Sequence, residues 1–324
     1  SEVMLVKNIF PDANIFFMNP VKSRDSIKKA YSLFGVRNFA VDSMEELIKI
    51  HAETNYANDL KIHLRIKVPN NFSKIKLSNK FGASIKEALI ILKEINNISS
   101  QIGICFHVGS QCYHPSAFQI GLKKTYNVIK RSGVKVNFVN VGGGFPENIC
   151  GKETPKLTDY FEEINQNFYK IFNGFSNDIQ LFSEPGRSIV SDCLSLVVRV
   201  NLRKKEKLFI SEGIHSYLNN AGYHNFTYPV RLFNRHVTKP KRIPFCFYGP
   251  TCDSNDFMKG PFFLPDSIKE GDWIEIKSMG AYTIPMKTSF NGFSKKSKIY
   301  LLKDEINEIH LEPLNFKQEC LPPK

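Results

Sequence analysis

The stretch "YGPTCDSND", residues 248–256, sets a thiol, Cys252, directly beside a carboxylate, Asp253, in a loop punctuated by glycine and proline. A thiol can deliver a proton and a carboxylate can grip a cation, but both need partners to make a reaction. Three other clusters offer them. "VGGGFP" (141–146) brings together Gly142, Gly143 and Gly144. Residues without a Cβ let backbone N–H groups close on an oxyanion, as phosphate binding requires, and they serve a plain tight turn equally well. "SEPGRS" (183–188) supplies Glu184, Gly186 and Arg187. The arginine fork suits a second phosphate contact, and a surface ion pair would account for the same residues. "CFHVGSQ" (105–111) carries His107 and Ser110. That imidazole is either a structural histidine or one that lies flat against a planar ring.

Two phosphate loops, one carboxylate and one histidine suit a phosphorylated aromatic cofactor. They do not suit a dinucleotide, because no G-x-G-x-x-G follows a strand with a ribose-binding acid downstream. Pyridoxal 5'-phosphate fits: Glu184 can hold its ring nitrogen protonated, so that the ring acts as an electron sink.

The elements that must position these residues alternate strictly up to about residue 190. "NIFFMNPVK", "VRNFAVD", "LKIHLRIKV", "IGICFHVG", "VKVNFVNVGGG" and "IQLFSEPGR" read as strands. Amphipathic helices separate them, among them "SMEELIKIHAE" with Ser43 as N-cap. Short connections with this alternation imply parallel strands, hence an open doubly wound sheet or a barrel. His107, the glycine run and Glu184–Arg187 all fall at strand C-terminal ends, where either architecture gathers ligands. Six units stand where a barrel needs eight, and the chain opens on "SEVMLVKNIF", as if inside a helix. Beyond residue 190 the texture turns β-rich with few helices, which predicts a second, mainly antiparallel domain at 191–324.

Composition narrows the class. The 324 residues are 42% hydrophobic, enough for a sizeable core, and hold no apolar run long enough to span a bilayer. A formal charge of +13 admits a polyanion partner, but the lysines are scattered among asparagines and isoleucines. No arginine–aromatic cluster marks a nucleic-acid face, so no nucleic-acid partner is expected. Seven cysteines without a C-x-x-C pair argue against a zinc or iron–sulfur site. With no secretory signal visible, the chain reads as a cytoplasmic protein with reduced thiols and no membrane anchor.

The ordered motifs "FHVGSQ", "GGGFP", "EPGR", "GPTCDSND" and "MGAYT…FNGF" resemble those of the fold-type III pyridoxal-phosphate decarboxylases, nearest the ornithine/lysine decarboxylase branch. The resemblance runs from "NPVKS" near residue 20 to "FNGF" at 290–293. It implies a (β/α)8 TIM barrel, here lacking its first two β/α units, followed by a C-terminal β-domain, in a homodimer with shared active sites. On that pattern His107 stacks on the cofactor and Glu184 meets its ring nitrogen. Gly142, Gly143, Gly144, Gly186, Arg187 and Tyr282 bind the phosphate, while Arg65 and Ser110 line the site. Cys252 and Asp253 enter the partner's site, as proton donor and as grip on a distal substrate ammonium, and Lys80 and Asp256 pair across the dimer nearby. The implied reaction is decarboxylation of a basic amino acid, L-ornithine to putrescine, with lysine or another basic amino acid as variants. A non-catalytic relative of the antizyme-inhibitor kind is the rival reading.

Two departures accompany the resemblance. Lys22, in "FFMNPVKS", invites the role of the lysine that forms a Schiff base with the cofactor. Yet "FFMNPVK…FAVDS…EL…LRI" matches the third and fourth barrel strands of the family, which puts that lysine on a first strand upstream of Ser1. Where the family supplies an acidic substrate contact, "GYHNFTYP" (222–229) offers Tyr223 and His224 and no carboxylate.

Overall fold

The computed structural model describes residues 2–149, 153–174, 178–233, 240–293, 300–302 and 311–313. After a first helix, α1 (Glu2–Ile9), strands and helices alternate. The chain runs β1 (Phe16–Phe17), α2 (Arg24–Ser32), β2 (Asn38–Val41), α3 (Met44–Glu53) and β3 (Lys61–Arg65). It continues through a short strand β4 (Ser73–Ile75) to α4 (Ile85–Ile98) and β5 (Gln101–Cys105). Strand β6 (Ser110–Cys112) pairs back onto β4 before α5 (Ser116–Ser132). Then come β7 (Phe138–Asn140), α6 (Leu157–Phe172), β8 (Gln180–Phe182) and the short α7 (Arg187–Val190). Strands β1, β2, β3, β5, β7 and β8 form one sheet in that order, every pairing parallel. These are six strands of a (β/α)8 barrel wall.

Local sequence explains the helices. Ser43 caps α3 by accepting from the Glu46 N–H, and Ser84 with Glu87 forms a capping box on α4. Gly133, in the left-handed conformation at φ 68°, ends α5. On the sheet, Phe39, Val41, Ile62, Leu64, Ile104 and Val139 join the apolar core beneath the helices. Their alternating neighbours point into the barrel, as a strand's two-residue period requires. There Phe16, His63, Phe138 and Phe182 close a ring of contacts: Phe16–His63 5.4 Å, His63–Phe138 5.6 Å, Phe138–Phe182 5.5 Å and Phe182–Phe16 5.6 Å between centroids. One layer of four side chains thus fills the interior, with the first and last strands of the sheet both contributing.

Lys22 has a structural post. Its ammonium lies 3.1 Å from Glu46 and donates to the carbonyls of Asn19 (2.7 Å) and Ala40 (2.6 Å), fully buried. This places it under the end of β1 as an ion-paired brace.

The second half of the chain builds another six-stranded sheet, in the order β11 (Val230–Leu232), β14 (Trp273–Ile276), β9 (Leu196–Lys204), β10 (Lys207–Ile210), β12 (Arg242–Tyr248) and β13 (Phe257–Pro265). A short helix, α8 (Asn219–Tyr223), packs near β13, and β15 (Tyr300–Leu302) pairs with β16 (Leu311–Pro313) apart from the sheet. Four of the sheet's five pairings are antiparallel; β10 and β12 run parallel, which the sequence did not signal. Its own core holds Val198, Leu208, Ile274 and the stacked pair Phe247–Phe262, 4.0 Å apart and 3° from parallel. No helix among the described residues is long and apolar enough to cross a membrane.

Two stability predictions follow from buried charge. Glu46→Ala strands the Lys22 ammonium and is expected to cost about 3–5 kcal/mol in urea unfolding, while Lys22→Met with Glu46→Leu recovers most of it. His63 is held at a pKa of about 4, mainly by burial, with Lys61 adding to the effect. The unfolded chain protonates this ring near pH 6.5 and the folded chain does not. Stability therefore falls as pH drops from about 6.5 to 4, by on the order of 3 kcal/mol from this residue. Denaturation curves across that window should flatten in His63→Leu.

Candidate active site

At the C-terminal ends of β5, β7 and β8 the backbone is packed too tightly for side chains. Gly142, at φ 67°, has the Phe106 carbonyl where a Cβ would sit, and Gly144, at φ 108°, has the Gly109 carbonyl. A Cβ on Gly143 would lie 2.6 Å from the Glu184 carbonyl oxygen and 3.3 Å from His107 Nε2. Hydrogen bonds fix the convergence: the Glu184 N–H donates to the Gly142 carbonyl (2.9 Å) and the Cys112 N–H to the Gly144 carbonyl (2.9 Å).

A cavity of about 290 Å³ opens over this seam, between the barrel mouth and the β-domain. His107, Ser110, Gly143, Gly144, Glu184, Gly186, Arg187 and Tyr282, all expected from the sequence, line it. Gly142 lies one residue behind the wall. Arg65 also stands back, its guanidinium 5.1 Å from the Phe81 ring, and acts on the site through its charge. Cys252 and Asp253 do not line this chain's cavity, nor does Tyr223, whose side chain is out in solvent with the residue 59% exposed. Its neighbour His224 lines the wall instead. Asn219, Asn220 and Met286 do so too, and nothing in their sequence context marked them.

Electrostatics distinguish the members. The Gly109 N–H donates to His107 Nδ1 at 3.0 Å, so the proton of the neutral ring is on Nε2, the nitrogen beside Gly143. Burial, then the Arg65 charge, lowers the His107 pKa to about 4, which keeps the ring neutral. The Glu184 carboxyl is pushed up by its dry surroundings, while a hydrogen bond from Asn140 Nδ2 (2.7 Å) and the Arg65 charge pull it back. Asn140 in turn accepts from the Gly142 N–H at 2.8 Å, coupling the carboxylate to the glycine run. This asparagine was missed in the sequence, although its place at a strand end two residues before the run was a usable signal.

Arg187 is only 5% exposed, and its guanidinium sits 5.1 Å from the Phe226 ring and 4.7 Å from the Tyr282 ring. Its Nε and Nη1 have no hydrogen-bond partner among the described residues. Donors buried without an acceptor are costly. An anion in the cavity would satisfy them, and the side-chain-free glycine run leaves room for its oxygens. These residues therefore fit a phosphorylated cofactor with a protonated ring nitrogen.

The Cys252–Asp253 loop is built from its own chain. Asn291 Nδ2 donates to Cys252 Sγ (2.9 Å), and the thiol is exposed. Asp253 Oδ2 meets His215 Nε2 at 2.8 Å, and Oδ1 accepts from the Asn255 N–H (2.9 Å) and Nδ2 (3.1 Å). The Asn255 backbone, then His215, holds this carboxyl below the usual carboxylate range. Asp256 faces inward in its own chain, 3% exposed. Its carboxylate accepts from the Ile214 N–H (2.8 Å), the Thr251 N–H (3.1 Å) and Thr251 Oγ1 (2.7 Å). Gly213 and Gly249 clear the space it fills. Lys80 is exposed, 5.0 Å from the Phe81 ring.

Comparison with known proteins gives this geometry its family. The chain is 32% identical over 289 residues to the lysine/ornithine decarboxylase of Selenomonas ruminantium, covering 87% of this chain and 70% of that one. It is 29% identical to antizyme inhibitor 2 of Xenopus laevis, covering 93% and 69%. The crystal structure of the Paramecium bursaria Chlorella virus arginine decarboxylase superposes with a TM-score of 0.75 at 29% identity, over 87% of this chain and 75% of that one. The family described as "Pyridoxal-dependent decarboxylase, pyridoxal binding domain" matches residues 1–191, so the chain belongs to the pyridoxal-dependent decarboxylases, whose cofactor is pyridoxal 5'-phosphate.

Proposed function

We propose that the chain decarboxylates a basic amino acid with a distal ammonium, L-ornithine to putrescine, with lysine as the nearest variant. One observation carries the reading: Arg187, whose Nε and Nη1 are buried without a partner among the described residues, lines a cavity that also holds Gly143, Gly144, Glu184 and a neutral His107. In this reading residues 1–190 form the cofactor-binding barrel and 191–324 a β-domain that serves a second copy.

Arg187, Gly186, Tyr282 and the amides of Gly143 and Gly144 hold the phosphate, with Ser110 beside them and Arg65 behind; the Gly142 amide, spent on Asn140, is set aside for that role. Glu184 accepts the proton-bearing ring nitrogen, for which its carboxyl must stay ionised; the Asn140 hydrogen bond and the Arg65 charge favour that form. His107, uncharged, would not repel the protonated nitrogen of a ring held beside it. When bound, the pyridine ring supplies a sink for the electron pair left as the Cα–carboxylate bond breaks and carbon dioxide departs. Cys252 of a second copy delivers its thiol proton to Cα, and Asp253 of that copy takes the distal ammonium.

A second reading, a binding protein like the antizyme inhibitor it resembles, has one observation in its favour: no lysine is among the described residues lining the cavity. Absorbance titration with pyridoxal phosphate and assay of carbon dioxide release from ornithine, lysine and arginine separate the two. Cofactor binding without release from any of them would favour the second reading. Arg187→Gln is expected to weaken cofactor binding about 10- to 100-fold, the worth of a charge-assisted hydrogen bond or two. Cys252→Ala should slow carbon dioxide release and leave cofactor affinity as it was; unchanged kinetics would remove the thiol from the mechanism.

A further inference from the structure

An ionised carboxylate offers about four acceptor positions, two on each oxygen. Asp253 has already filled three of them within its own chain. Asn255 takes both on Oδ1, through its N–H at 2.9 Å and its Nδ2 at 3.1 Å. His215 Nε2 takes one on Oδ2 at 2.8 Å. Because the carboxylate can only accept, the His215 proton must sit on Nε2.

The imidazole is itself fixed. The Phe290 ring packs against it at 4.4 Å, and the His215 carbonyl accepts from the Thr288 N–H (3.0 Å) and Oγ1 (2.9 Å). Three separate segments, at 215, 253–255 and 288–290, therefore converge on one carboxylate. Neither oxygen is free to swing toward a ligand.

We infer that His215 and Asn255 are specificity-determining residues: they leave Asp253 a single open acceptor, which admits an alkylammonium and refuses a guanidinium. An ammonium is a compact donor that needs one acceptor at a time, whereas a guanidinium binds a carboxylate through two parallel N–H bonds, one to each oxygen. With Oδ1 doubly filled, that fork has no second foothold. The inference rests on the role of Asp253 proposed above and deepens it, since the relatives include lysine/ornithine and arginine decarboxylases alike.

The test compares a linear diamine (putrescine or cadaverine) with agmatine by calorimetric titration of the cofactor-loaded protein, and ornithine and lysine with arginine by kcat/KM. The unsubstituted protein should favour the ammonium ligand. Asn255→Ala reopens one position on Oδ1 and should move the preference toward the guanidinium about tenfold, one charge-assisted hydrogen bond's worth. Adding His215→Leu should move it further. His215→Gln, whose amide can still donate to Oδ2, should hold the preference closer to its starting value than His215→Leu does, a distinction that a purely structural role would not produce. A starting preference for agmatine, a ratio unmoved by Asn255→Ala and the double variant, or no binding of either ligand would overturn the inference. Selective diamine binding that shifts as expected, without turnover of any basic amino acid, would uphold it while removing the enzymatic reading.

Discussion

Three carbonyl oxygens, of Phe106, Glu184 and Gly109, stand where side chains on Gly142, Gly143 and Gly144 would have to be. That exclusion lets the ends of β5, β7 and β8 approach closely enough for His107, Glu184 and Arg187 to share one small cavity. Two of the glycines also sit at positive φ, where a side chain would be strained even with space around it. Any larger residue would push the β5 and β8 ends apart, and the histidine and the carboxylate would separate with them. The ladder from Asn140 to the Gly142 N–H and to Glu184 then fixes the carboxylate's position relative to the same seam.

Beneath the seam lies a floor of aromatic rings. The ring of Phe16, His63, Phe138 and Phe182 fills the barrel interior, and burial dominates the ionisation of what borders it. It lowers the imidazoles of His63 and His107 and raises the carboxyl of Glu184. A single cause thus works in opposite directions on acid and base, favouring the neutral form of each. Arg65 divides the outcome. Its positive charge reinforces neutrality at His107 and opposes it at Glu184. One arginine outside the cavity wall thereby suits the histidine to a flat, uncharged contact and the carboxylate to a cationic nitrogen.

Much of this was legible in the chain because local rules carried it. Strand ends announce themselves where an apolar run meets glycine or a charge, and that alone located His107, the glycine run, Glu184 and Arg187. Strand length was less legible. "NIFFMNPVK" shrinks to Phe16–Phe17 because Pro20 has no N–H to pair and the Asn19 carbonyl turns to the Lys22 ammonium. Pairings between distant segments left no trace at all. The parallel contact of β10 with β12 sets Lys207 against Cys246, and His215 meets Asp253 across 38 positions. Tyr223 and His224 show the limit at its finest grain. Both were in view, and only the close of α8 decides that the imidazole lines the cavity while the phenol turns to solvent.

Asp256 shows how the exposed loop can hold its shape without help from another molecule. A carboxylate placed among two glycines and three donors of its own chain pins Gly249 and Thr251 on one side and Ile214 on the other. Its backbone adds two more ties, from the Gly249 N–H to its carbonyl and from its N–H to the Asp253 carbonyl, each 2.9 Å. The turn carrying Cys252 and Asp253 is thus closed at both ends around a buried anion, and the same anion sets the position of His215, one residue beyond Ile214. Preorganisation of this kind removes the ordering cost that a flexible loop would pay on meeting a ligand. The loop thus offers its thiol outward and holds its carboxylate already partnered.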